Sequence, residues 1–76
     1  MKTIKNISYN ELQLLQNKNV HFTSDCEFFP NFDIKAKVLS YKTITNNEIL
    51  LYIKVLSNNK ILIISSNMKN LNYEIL

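Results

Sequence analysis

Hydrophobic and polar residues alternate with a period of two through the middle of this chain. Phe32, Ile34, Ala36 and Val38 alternate with Asp33, Lys35, Lys37 and Leu39, the pattern of a strand with one face turned to a core. The strand is expected from about Phe32 to Tyr41. Two further β-rich runs follow, Glu48 to Leu56 and Lys60 to Ser65, and the breaks before them carry Asn46-Asn47 and Asn58-Asn59. Two-residue turns at these pairs set Thr45 opposite Glu48 and Ser57 opposite Lys60. In that register Tyr41 faces Tyr52, Leu39 faces Lys54 and Lys37 faces Leu56, while Val55 meets Leu62 and Ile53 meets Ile64. The opposite face is not cleanly polar, because Leu50, Leu56, Ile61 and Ile63 fall on it beside Tyr52 and Lys54. An open antiparallel sheet with one wet face alternates better than this. Part of the second face is therefore expected to be covered by a helix, a curled barrel wall or another subunit.

The period changes near the N-terminus. Ser8 and Glu11 have the spacing of a capping box, and Ile7 and Leu12 that of a hydrophobic staple. A helix is expected from Tyr9 to about Gln16. Leu12, Leu15 and Tyr9 form its apolar stripe, and Leu14 widens it. So short a helix is not stable alone and must lie on the sheet. Val20 to Thr23 reads as a first strand, and Ser24 to Asn31, with Pro30 in it, as a loop or irregular edge. Met1 to Asn6 reads as an arm or short edge strand. Ser65 to Asn70 reads as a turn with Met68 and Leu71 tucked in, before a last strand at Tyr73 to Leu76.

The expected fold is one mainly β domain over residues 1–76: a short N-terminal helix and a five-stranded antiparallel meander. This order of elements resembles the small SH3-like barrels, and among them the Sm-like proteins. The likeness is carried by the helix SYNELQLLQNK, the strand FDIKAKVLSY and the tail SSNMKNLNYEIL, and it runs from Ser8 to Leu76 as an order of elements. It implies that the meander curls into a small SH3-like barrel. An OB-like barrel, or a plain meander with the helix on one face, are the alternatives. The Sm-like signature glycines and RNA-contacting aspartate–asparagine pattern have no counterpart in this chain, so no binding residue is carried over.

Composition narrows the function classes. A chain of 76 residues buries only about 60% of its unfolded surface. At 46% hydrophobic it is too apolar for disorder. One cysteine closes no internal disulfide, and one cysteine with one histidine does not make a four-ligand zinc site. The core must then be dense in Ile and Leu, or shared between subunits. Glycine is absent and asparagine occurs twelve times, so asparagine is expected wherever the backbone needs a positive φ. The net charge of +3 comes with nine lysines and no arginine, a bias that A+T-rich coding imposes. It lacks the residue best suited to bidentate phosphate and base recognition. There is no signal-like leader and no apolar run near ~18 residues, so a cytoplasmic protein with Cys26 reduced and no membrane partner is expected.

The candidate chemistry is thin. Cys26 and His21, with Asp25 as orienter, have the residue types of a thiolate nucleophile. Nothing in their spacing supports that geometry, and a packed cysteine beside a strand histidine is the plainer reading. A metal held by His21, Asp25 and Cys26 or Glu27 rests on equally little. Asp25, Glu27 and Asp33 read as solvated loop charge. No catalytic residue, metal ligand or cofactor site is assigned. Two surface features remain. Phe28 and Phe29 precede Pro30, and two adjacent aromatics on an extended segment cannot both point inward, so one is a candidate anchor for a partner. Lys35, Lys37, Tyr41, Tyr52 and Lys54 share one face in the register above, where bases can stack on rings and lysines track phosphates. The expected function is a non-catalytic interaction module that self-associates as a homo-oligomer, or binds or inhibits an unidentified protein partner. By analogy it suits a phage- or plasmid-encoded inhibitor. A nucleic-acid-binding small barrel using the Lys/Tyr face is the alternative.

Overall fold

The computed structural model describes residues 1–27, 31–45 and 47–76. Its elements run β1 (Lys2–Thr3), α1 (Tyr9–Leu15), β2 (Asn19–Ser24), β3 (Phe32–Thr45), β4 (Glu48–Val55), β5 (Ile61–Ser65) and β6 (Asn72–Ile75). All six strands lie in one sheet, antiparallel throughout, in the order β1-β6-β2-β3-β4-β5. The expected five strands become six because the N-terminal arm pairs Lys2 with Tyr73 and Thr3 with Asn72. The sheet is not closed into a barrel. It ends in two edges, β1 and β5, and β6 returns to lie between β1 and β2 instead of extending the meander.

The helix forms as its cap dictates, though the capping box is only half used. The Ser8 hydroxyl accepts from the Glu11 N–H at 3.1 Å, satisfying one of the unpaired donors of the first turn. The Glu11 carboxylate does other work: its Oε1 accepts from the Tyr73 hydroxyl at 3.0 Å and meets the Lys2 ammonium at 3.5 Å. Leu12 and Leu15 are buried in the core, while Tyr9 and Leu14 point to solvent, so the stripe is narrower than the pattern suggests. Ile7 packs against that core as the staple requires.

The core lies on the helix side of the sheet. Val20 and Phe22 of β2, Ala36 and Val38 of β3, Leu51 and Ile53 of β4 and Ile64 of β5 close around Leu12 and Leu15, with Ile4, Leu71 and Tyr73 at one end. Burying a side chain of this size stabilises the fold by about 1.5–3 kcal/mol. Loop and turn are tied by buried serines. Ser24 Oγ donates to the Lys69 carbonyl at 2.7 Å, and Ser66 Oγ accepts from the Ile49 N–H at 2.9 Å. Met68 is half-buried and Leu71 buried, over successive turns closed by Met68 N–H to Ser65 O and Leu71 N–H to Met68 O.

β3 is the long strand of the sheet. Its first half pairs β2 and its second half β4, overlapping at Ala36 and Lys37. The expected register holds at the turn, where Thr45 pairs Glu48, and then fails twice. The ladder slips by one residue at Ile44 and again at Leu39, as β-bulges do. Beyond the first slip Tyr41 lies opposite Leu51, not Tyr52, and beyond both Lys37 lies opposite Lys54, not Leu56. The hairpin from β4 to β5 also departs from expectation. Its loop takes Leu56 to Asn59, closed by Asn59 N–H to the Val55 carbonyl at 2.8 Å. Leu62 therefore pairs Ile53, and Ile64 pairs Leu51. That slip of two residues leaves each side chain on its expected face. Among the described residues no helix is long and apolar enough to cross a membrane.

Candidate interaction surface

The face of the sheet turned away from the helix carries one stripe of cations and one of hydrocarbon. From β3 it presents Lys35 and Lys37, from β4 Leu50, Tyr52 and Lys54, and from β5 Ile61 and Ile63. Lys37 and Lys54 stand directly opposite one another, with Ile61 opposite Lys54 on the far side and Ile63 opposite Tyr52. Like charges facing across a ladder destabilise it. Tyr41 does not belong to this face. The bulge at Leu39 turns it to the helix side, where it packs against the core, and Gln13 Nε2 donates to its hydroxyl at 2.6 Å. A hydrogen bond with Tyr9, then desolvation, then the Tyr9 charge push the Tyr41 phenol above its ordinary range. The proposed group of five thus reduces to Lys35, Lys37, Tyr52 and Lys54, with Ser40 opposite Tyr52 in the place expected for Tyr41.

The apolar stripe continues around the end of the sheet. Leu56 is 44% exposed, Ile61 54%, Leu62 40% and Ile63 59%. Ile61 and Ile63 lie on the outer face and Leu62 on the inner, so the edge strand is apolar on both sides. The alternation pattern places Leu62 in the densest part of the inner face, but β5 overhangs the core there. Only Ile64, one residue pair further along, is covered. The signal was present in the sequence: Ile61, Leu62, Ile63 and Ile64 form an unbroken apolar run with no polar partner positions.

The remaining candidates do not converge. Phe28 and Phe29 lie outside the described residues. His21 is held by Asp33, Nε2 to Oδ1, on the outer face. The half-buried Cys26 bonds through its backbone N–H to Ser24 Oγ at 3.2 Å. Asp25 accepts from Asn70 Nδ2 at 3.0 Å. Among the described residues no group of three or more His, Cys, Asp or Glu side chains is placed to hold a metal ion. A shallow cleft of about 340 Å³ beside β1 and β6 is lined by Met1, Lys2, Glu11, Tyr73, Glu74 and Ile75. Its one carboxylate from the helix, Glu11, is already engaged by Tyr73 and Lys2. No protein-family model matches this chain, and no curated protein or solved structure does.

Proposed function

We propose that this protein is a non-catalytic contact module that works by protein–protein association through the β4–β5 end of its sheet. The observation that carries this reading is the exposed hydrocarbon of Leu56, Ile61, Leu62 and Ile63, gathered on a hairpin and an edge strand. Scattered apolar residues on a surface need no explanation, but a contiguous group marks a site of association. Single-chain burial is limited in a chain this small, and an interface supplies the missing cover. The SH3-like likeness of the element order belongs to the same reading, as an open sheet of that kind rather than a closed barrel. So does action as an inhibitor of a host protein, which rests on analogy.

A second reading is favoured by one feature, the Lys37–Lys54 pair. A phosphate between those two ammonium groups would relieve their repulsion, and Tyr52 beside them offers a stacking surface for a base of single-stranded nucleic acid.

One experiment addresses both. The chain and its Ile61→Lys/Ile63→Lys variant are compared by light scattering, by capture of partners from the native host, and by mobility shift with single-stranded RNA and DNA at two salt concentrations. The contact reading expects association by the native chain that the folded variant loses. Equal association by both, or none by the native chain, overturns it. A salt-dependent shift retained by the variant favours the nucleic-acid reading.

A further inference from the structure

We infer that β5 pairs with the β5 of a second copy of this chain, antiparallel about a two-fold axis, so that two sheets become one. This rests on the contact reading above and names its partner.

The backbone of the edge comes first. Val55 N–H donates to the Lys60 carbonyl at 2.8 Å, and Ser66 N–H to the Ile49 carbonyl at 2.9 Å. In an antiparallel ladder bonded residues alternate, so residues 60, 62, 64 and 66 point their amides and carbonyls at β4. The N–H and C=O of Ile61 and Ile63 then point the other way, to the open edge. Beyond them the edge closes, because the Ser65 carbonyl accepts from the Met68 N–H at 3.0 Å. The free template is thus three residues long and bonds an extended segment. Natural edge strands are usually guarded by an inward charge, a proline or a bulge. β5 has none of these, whereas β1, at the other end of the sheet, is only two residues long and begins with Lys2.

The side chains then select the occupant. It must be apolar on both faces, to meet Ile61 and Ile63 on one side and Leu62 on the other. β5 itself meets that demand. With Ile61 opposite the second copy's Ile63, each such pair exchanges two hydrogen bonds, and Leu62 faces its own counterpart across the axis. The outer faces join, so four isoleucines adjoin the two Tyr52 rings. Charge selects the direction. A parallel pairing would stack the two Lys60 ammonium groups, while the antiparallel one sets them at opposite ends.

The test uses the full chain. Native mass spectrometry and light scattering into the millimolar range should give twice the chain mass. Leu62→Cys in a Cys26→Ser background should cross-link on mild oxidation, since non-hydrogen-bonded neighbours approach to about 4.5 Å between Cα atoms, within disulfide reach. Ile63→Pro removes one outward N–H and leaves the β4 ladder intact, and should yield a folded monomer. Should that variant fail to fold, Ile63→Lys makes the same demand. A native monomer, masses above two chains, or no Leu62→Cys cross-link would overturn the pairing. A native monomer that still holds a host protein, released by Ile61→Lys, would overturn the two-fold and keep the contact reading. A monomer that holds nothing would end both.

Discussion

Five described residues have a positive φ, and all five are asparagines: Asn6, Asn17, Asn31, Asn59 and Asn70. Each stands in a connection between two elements, so the absence of glycine correctly directs attention to asparagine. The role of Tyr73 was not legible in the same way, because its partner Glu11 lies 62 residues away. Burial first, then the hydrogen bond to Glu11 and the Glu11 charge, raise its phenol from 10.0 to about 12. The folded state thus favours the neutral phenol. The associated stability is whole below the unfolded value near 10.0 and is lost as pH climbs through about 12. Replacing Tyr73 by Phe keeps the ring, removes one hydrogen bond worth about 1 kcal/mol at neutral pH, and should flatten the alkaline loss. Denaturant melts at stepped pH across that window check both effects.

At the scale of elements, the helix and five of the six strands are readable from capping and periodicity, to within about four residues at each end, while the segment that forms β1 reads equally as an arm or a short edge strand. The pairing between strands was not. A bulge has no signature when the residue it adds is Leu39 or Ile44, as ordinary in a strand as its neighbours. Yet each single-residue slip reverses which face the rest of the strand presents. This is how Tyr41 left the lysine face and how Lys37 came to oppose Lys54. The bulge at Leu39, just past the residues where β3 passes from β2 to β4, adds the local bend that a glycine kink supplies elsewhere. The Lys37–Lys54 pairing makes its own prediction. Lys54→Glu turns a repulsive cross-strand pair into an attractive one and should raise stability by roughly 0.2–1 kcal/mol, read as a higher denaturant midpoint that shrinks with added salt.

For the whole molecule, the margin is narrow. At ~0.05–0.15 kcal/mol per residue a chain of 76 residues has roughly 4–11 kcal/mol of stability. Leu15 is fully buried where the helix meets the sheet, and Leu15→Ala should cost about 2–5 kcal/mol. The expected outcome is a variant whose urea midpoint falls well below that of the native chain, with the slope unchanged. If the chain pairs with itself, raising protein concentration should partly restore the transition by mass action.

A glycine-free chain also has a stiffer denatured ensemble. Each glycine that a turn would ordinarily recruit adds backbone freedom that folding must remove, worth about 0.4–1 kcal/mol per site against a residue with a side chain. Asparagine in the left-handed region costs the native state some steric energy, but it spares the disordered chain that extra freedom. Part of the stability of so small a sheet then originates before any contact forms, in the restricted choices of the polymer that collapses into it.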